Sequence, residues 1–361
     1  MGEFGLIAEL SAALPAGPRT LVGIGDDAAV LATPDGRVVA TTDFMLEGRH
    51  FRRDTSSARD VGHKAAARSL ADLAAMGAVP SALLVALAAP ADLPVSWARD
   101  LAAGLAAECA RVPGASVIGG DTARADQVLL AVTGLGDLAG RAPVLRSGAA
   151  PGDVVAVAGP LGHAAAGLAL LSAGVRADLL SAGVRADLLS AGVRADLLSA
   201  GMRADRLSAG VRADRLVTAQ RRPAPPYDAG PQAADLGATA MIDISDGLLA
   251  DLGHIAAASG VLIDLSRAAL GPDDQLLAAA HFLGRTDSGS PSPEHTALTW
   301  VLAGGEDHSL AATFPAGTAL PPRWTVIGTV RPVPGRSVLG RAVPCGPGPV
   351  GPGPGVVVDS E

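Results

Sequence analysis

Aromatic residues are scarce in this 361-residue chain, at 2%, and Lys64 is the sole lysine among 28 basic side chains. Such an Ala/Arg/Gly/Pro alphabet looks like GC-rich coding bias, so no lone Ala, Gly or Arg carries much weight. Cysteine is nearly absent too. Cys109 and Cys345 stand far apart, with no CxxC and no clustered Cys and His, which argues against a disulfide framework and against a thiolate metal site. Positive charge is in deficit: 28 Lys and Arg face 36 Asp and Glu, a net −8. A protein that displaces counterions from nucleic-acid phosphate needs the opposite balance, so no nucleic-acid partner is expected.

A membrane span is missing as well. No residue between Asp72 and Asp92 is charged, but Gly77, Pro80 and Pro90 cut that stretch into a helix end and a short strand. The first ten residues, MGEFGLIAEL, carry Glu3 and Glu9 and no basic leader, so they do not read as a signal peptide. The expectation is a soluble, cytoplasmic protein with no membrane partner.

What is present is a globular composition, 49% apolar and 18% charged, with Gly 45 and Pro 27 making up about a fifth of the chain. The length suits two or three domains. Periodicity and stop signals predict strand 38–42, helix 58–76, strand 81–87, helix 94–111 and strands 116–118 and 128–133. The turn-rich stretch RAPVLRSGAAPGD at 141–153 is the best domain boundary. After it come strand 154–158, a helix from His163, strand 240–244, helix 247–259, strand 262–265, a polar loop near 286–294, and strands 299–302 and 324–330. The expected division is an N-terminal α/β domain over 1–145, a C-terminal α/β domain over 146–335, and a Gly/Pro-rich, disordered tail over 336–361.

Residues 170–214 hold five copies of a nine-residue unit: LLSAGVRAD three times, then LLSAGMRAD and RLSAGVRAD. Nine residues advance a helix by about 900°, so successive copies point to opposite faces and build no continuous apolar stripe. The repeat reads as a tolerated insertion from recent duplication, ahead of the alternative of a functional arm.

Aspartate recurs where strands end beside Gly or Thr: GIGDDAAVL (Asp26, Asp27), TTDFMLEGRHF (Asp43), IGGDTAR (Asp121) and IDISDGL (Asp243, Asp246), with Asp72 of SLADLAAMG on a helix that could lean over that edge. Surface turns favour Asp and Gly in any case, so one such residue says little. Several in comparable settings say more, because clustered carboxylates raise one another's pKa unless cations neutralise them. Oxygen ligands without Cys or clustered His suit Mg²⁺, which usually serves phosphate substrates. The Gly pair before Asp121 would let backbone N–H groups approach an anion. Arg146 either clamps phosphate or is a solvated arginine. An ordinary P-loop, a strand-to-helix GxGxxG and the HRD and DFG kinase elements are all missing.

Taken with GEFGLI, VLRSGAAPGD, GHAAAGLALL, RRPAPP, IDISDGLLADLGHIAAASG and AGGEDHSL, these segments make the sequence resemble the thiamine-monophosphate kinase family, in family order over about 3–330. That family belongs to the superfamily of aminoimidazole ribonucleotide synthase and selenophosphate synthetase. The resemblance implies a two-domain α/β fold, a homodimer joined through N-terminal sheets, and ATP-dependent phosphorylation of thiamine monophosphate to thiamine diphosphate with several Mg²⁺ ions. By position, Asp27, Thr41, Thr42, Asp43, Asp72, Asp121, Asp243 and Asp246 look like metal-site residues. Turnover is expected to depend on Asp43, Asp72, Asp121 and Asp243. Gly120, Asp121, Arg146 and Ser245 resemble ATP contacts, and His50 and Glu306 resemble contacts to the thiamine substrate. Three departures stand out: His308 and Ser309 where Tyr and Glu are common, the lengthened repeat, and no C-terminal aromatic segment of the kind that closes over the substrate rings. The competing readings are a sister ATP-dependent synthase and a non-catalytic paralogue whose repeat serves an interaction.

Overall fold

The computed structural model describes residues 13–22, 30–175, 213–284, 291–334 and 355–358. Asp26, Asp27, Cys345 and most of the repeat lie outside them. Strands β1 (Thr20–Val22) and β2 (Val30–Leu31) form a small hairpin. β3 (Val39–Leu46), β4 (Val79–Ala89), β5 (Ser116–Arg124) and β6 (Leu129–Asp137) form a sheet in the order β3-β6-β4-β5, with only β4 and β5 parallel.

Helix α1 (Ala58–Ala75) starts at a capping box in which Ser57 and Asp60 satisfy each other's backbone N–H groups, and it stops before Gly77 at φ +74°. It is buried nearly all round: Ala66, Ala67, Leu70, Ala71, Leu73 and Ala74 are fully buried. α2 (Val95–Cys109) crosses it closely, since a Cβ on Gly62 would meet the Leu101 carbonyl oxygen at 2.1 Å and one on Gly104 the Arg59 carbonyl oxygen at 2.2 Å.

The second sheet has the order β12-β9-β11-β7-β10-β8. Its strands are β7 (Val154–Ala158), β8 (Ala240–Ile244), β9 (Leu262–Leu265), β10 (Ser309–Phe314), β11 (Trp324–Arg331) and β12 (Val356–Val358). One face, with Met241, Leu310, Phe314 and Trp324, shares a core with α1 and the first sheet. The other face, with Val155, Ile242, Ile244 and Ile263, is covered by helices α3 (His163–Ser172), α4 (Ala213–Arg221), α6 (Leu248–Ser259), α7 (Asp274–Leu283) and α8 (Pro293–Ala303). The short α5 (Ala229–Asp235) packs on α1. α1 therefore lies between two sheets, while the outer face of the first sheet stays open, with Phe44 59% exposed.

Four expectations fail. The strand at 116–118 runs on to Arg124, because the small residues Gly119 and Gly120 let it stay paired with β4. Residues 299–302 are helical, within α8. A short apolar run does not separate strand from buried helix, and the Ser292 side chain accepting the His295 N–H, with Pro293 at the first position, decides for helix. The tail is not wholly unstructured: three β-branched valines, Val356–Val358, pair parallel with β9. Pro80, expected outside β4, sits inside it where the register to β6 shifts. Among the described residues no helix is long and apolar enough to cross a membrane.

Leu170 and Val175, in the first repeat copy, are buried. Deleting Leu170–Asp196 would bring Leu197 and Met202 of the later copies to those places, a near-conservative exchange. The expected result is a melting temperature within a few degrees of the full chain and unchanged turnover, checked by thermal denaturation and assay.

Candidate active site

Side chains alternate across a strand, so Thr41, Asp43 and Met45 of β3 point toward α1, and Thr42 and Phe44 point away. On α1, Lys64, Arg68 and Asp72 recur every four residues and share one stripe, about 12 Å long. The stripe meets β3: the Thr41 hydroxyl donates to Asp72 Oδ2 at 2.7 Å, Ser69 Oγ donates to Asp43 Oδ2 at 3.1 Å, and Arg68 Nη2 lies 3.4 Å from Asp43 Oδ1. β8 brings Asp243 to the same place from the second sheet. Burial first, then the Asp243 and Asp43 charges, push the Asp72 carboxyl from 3.8 up to about 7. Asp243 is itself buried, with His308 Nδ1 3.0 Å from its Oδ2.

At the other end of the stripe a cavity of about 250 Å³ opens, lined by Arg49, His50, Lys64, Leu168, Gln220 and Glu306 among others. His50 Nδ1 accepts the Leu46 N–H at 3.0 Å, which leaves Nε2 as the donor of a neutral ring. Burial first, then Arg68, lower its pKa and favour that neutral form. Glu306 Oε2 accepts from Lys64 Nζ at 2.6 Å and Gln220 Nε2 at 3.0 Å, and Arg68 Nη1 lies 3.4 Å from Oε1. Burial works to raise Glu306, and the Lys64 charge overrides it to hold the group below its ordinary value.

The loops are pinned by acids that sequence reasoning missed. Asp251 Oδ2 accepts the N–H groups of Ser245, Asp246 and Gly247 at 3.0–3.1 Å, which fixes the turn after Asp243. Asp307 accepts from the Gly162 and Ala164 N–H groups at the start of α3, and burial pushes it up to about 6. Asp251→Ala strands three backbone donors. It should destabilise the protein by about 2–3 kcal/mol, readable in urea melts, and lower turnover through the loosened loop.

A family model for the AIR synthase related protein, N-terminal domain, matches residues 25–138. The thiamine-monophosphate kinase of Mycobacterium tuberculosis is 44% identical over 340 residues, covering 93% of this chain and 87% of that protein. The chain belongs to the thiamine-monophosphate kinase family. The crystal structure of the Stenotrophomonas maltophilia K279a thiamine-monophosphate kinase aligns with TM-score 0.71 and 30% identity, over 100% of this chain and 98% of that one. The structure of AaThiL complexed with AMPPCP and TMP aligns with TM-score 0.66 and 27% identity, over 100% and 94%.

Within this family member the expected site residues fall into separate groups. Thr41, Asp43, Asp72 and Asp243 converge, and His50 and Glu306 share the cavity. Thr42 does not join them: it faces the open side of the sheet, where Thr133 donates to it at 3.2 Å. Asp121 is also on that side. It aligns with Ala86 and, through β4, with Ala131 and Phe44, on the edge strand opposite β3. Three strand spacings, about 14 Å, separate the β3 and β5 edges. Asp43 and Asp121 are thus mid-strand, not at strand ends as expected. Gly120 has a packing reason of its own, since a Cβ there would lie 1.9 Å from the Val85 carbonyl oxygen. Arg146 is exposed, and its carbonyl accepts from Ser259 Oγ. Asp246 is exposed, Ser245 is half-buried, and Asp27 lies outside the described residues.

Asp43, Asp72 and Asp243 suit a hard divalent cation. They are acids crowded enough to raise Asp72, with oxygen donors supplied by carboxylates and Thr41. Among the described residues no group of three or more His, Cys, Asp or Glu side chains is placed to hold a metal ion as it stands.

Proposed function

We propose that this chain transfers the γ-phosphoryl group of ATP to the phosphate of thiamine monophosphate, giving thiamine diphosphate and ADP, in the cytoplasm and as a homodimer. The observation that carries the reading is the α1 stripe, which joins the Asp43–Asp72–Asp243 acids to the His50–Glu306 cavity. Family membership and the AaThiL complex with AMPPCP and TMP support the same substrates.

The acceptor phosphate oxygen is already ionised at neutral pH, so the chain needs no general base. What remains is in-line positioning and neutralisation of charge. His50 Nε2–H and the Arg49 guanidinium offer donors to an anion in the cavity, and Glu306 offers a carboxylate to the cationic thiazolium. Arg68, between Asp43 and Glu306, supplies fixed positive charge along the path from one end of the stripe to the other. Asp43, Asp72 and Asp243 would hold Mg²⁺, which when bound neutralises the transferring phosphates as a Lewis acid. Gly120, Asp121, Arg146 and Ser245 are assigned to ATP, with Asp246 beside the metal site and Thr42, on the open face of the sheet, outside it.

The homodimer reading rests on the open sheet face. Phe44 is 59% exposed there beside Thr42, Ala131 and Thr133, a large aromatic side chain that a second sheet would cover. Phe44→Arg should convert the dimer to monomer in sedimentation analysis and cut turnover at least tenfold. A coupled assay for thiamine diphosphate tests the activity itself. Formation from ATP and thiamine monophosphate, with none from aminoimidazole precursors or selenide, is the expected result, and it sets aside a sister synthase and a non-catalytic paralogue together. Arg146→Ala should raise the KM for ATP and His50→Ala that for thiamine monophosphate. Identical or interchanged defects would sink both assignments.

A further inference from the structure

We propose that Lys64 is a positioning residue that sets the acceptor site by tying the Glu306 carboxylate to the backbone of the His50 turn, a role that rests on the functional reading above. Its ammonium donates to Glu306 Oε2 at 2.6 Å and lies 3.3 Å from the His50 carbonyl oxygen. Those two groups belong to segments more than 250 positions apart, one after β3 and the other before β10. Both line the 250 Å³ cavity. Lys64 is only 3% exposed, so it spans the floor of that cavity rather than its mouth.

Stability alone does not account for this arrangement. A buried ion pair contributes little net stabilisation compared with apolar side chains of the same volume. Glu306, moreover, sits at φ +67°, a left-handed backbone that costs a non-glycine residue about 1–3 kcal/mol. The chain thus carries both a buried charge and backbone strain to keep one carboxylate at the cavity. The choice of side chain points the same way. Every other Lys-or-Arg position in the chain is Arg, and only here is the basic residue Lys. An ammonium has three tetrahedral donors on a slim stem and can serve a carboxylate and a carbonyl in different directions. A planar guanidinium would present a flat fork to one of them. Arg68, one turn on, already takes that role between Glu306 and Asp43.

The test is a double-mutant cycle read separately for each substrate. Lys64→Met should raise the KM for thiamine monophosphate at least tenfold and leave the KM for ATP within twofold. Added to Glu306→Gln, it should raise the KM for thiamine monophosphate by clearly less than it does alone, because the carboxylate it holds is already neutral and only the tie to the His50 carbonyl is left to lose. If Lys64→Met alone fails to fold, with Glu306 left unpaired, the comparison of Lys64→Met/Glu306→Gln against Glu306→Gln still decides, since the double variant removes both charges. As a second readout, labelling with ¹⁵N-lysine gives a single side-chain resonance, which Glu306→Gln should shift. Equal defects for both substrates, a full tenfold penalty in the Glu306→Gln background, or an unmoved resonance would overturn the role of Lys64. A wild-type chain that makes no thiamine diphosphate would instead overturn the functional reading, and this inference with it.

Discussion

Mixing two inactive variants, Asp43→Asn and Asp121→Asn, should restore about a quarter of wild-type turnover. Each variant alone is expected to lose at least a hundredfold, since each removes an acid assigned to the metal and ATP site. Within one chain those acids cannot share a cation. They sit on opposite edge strands, β3 and β5, and on opposite faces of the sheet, about 14 Å apart, whereas a Mg²⁺ ligand lies about 2 Å from its ion. A site that uses both therefore takes Asp43 from one protomer and Asp121 from its partner. After a one-to-one mixture is unfolded and refolded, half of the dimers are mixed, and each of these has one intact site and one doubly defective site. That fraction is the predicted quarter. If the two acids act within a chain, no mixture recovers activity. Size-exclusion chromatography of the mixture with differently tagged subunits confirms that exchange has taken place.

The same geometry shows what could be read from sequence and what could not. The helix at 58–76 was legible because its signals are local: a periodic apolar run and a Gly stop. Asp43, Asp72, Asp243, His50 and Glu306 were legible through motifs, and the fold does bring them to one stripe of α1. Sidedness was not legible. Thr41 and Thr42 are neighbours in sequence, but strand alternation sends them to opposite faces, and no motif says which face meets α1 until the partner helix is in place. Nor could the order β3-β6-β4-β5 be read from local pattern, and it is this order that removes Asp121 from Asp43. Lys64 gave a signal as the only lysine, yet its partner is 242 positions away. Asp251 and Asp307 look like ordinary helix-start and loop acids until the N–H groups they accept are seen.

Asp72→Asn should stabilise the metal-free protein while reducing turnover at least a hundredfold, so the two measurements move in opposite directions. Asp72 is pushed from 3.8 to about 7 by burial and by the Asp243 and Asp43 charges. Its folded-state value lies above the unfolded one, so between about pH 4 and pH 7 the folded chain binds the extra proton, and stability falls as pH rises through that window. At pH 8 the wild-type chain holds an ionised, crowded carboxylate, and the amide removes that repulsion while still accepting the Thr41 hydroxyl. At pH 5 the wild-type group is already protonated, so the substitution should change the melting temperature little. The gain is therefore expected to grow from near zero at pH 5 to several degrees at pH 8, measured in the presence of a chelator. Mg²⁺ should act the other way. Binding to the folded state stabilises by mass action, so millimolar Mg²⁺ should raise the wild-type melting temperature at pH 8, do less at pH 5 where protons compete, and do little for Asp72→Asn at either pH. A variant that is less stable than wild type at pH 8 without metal would mean that Asp72 serves the fold rather than a cation.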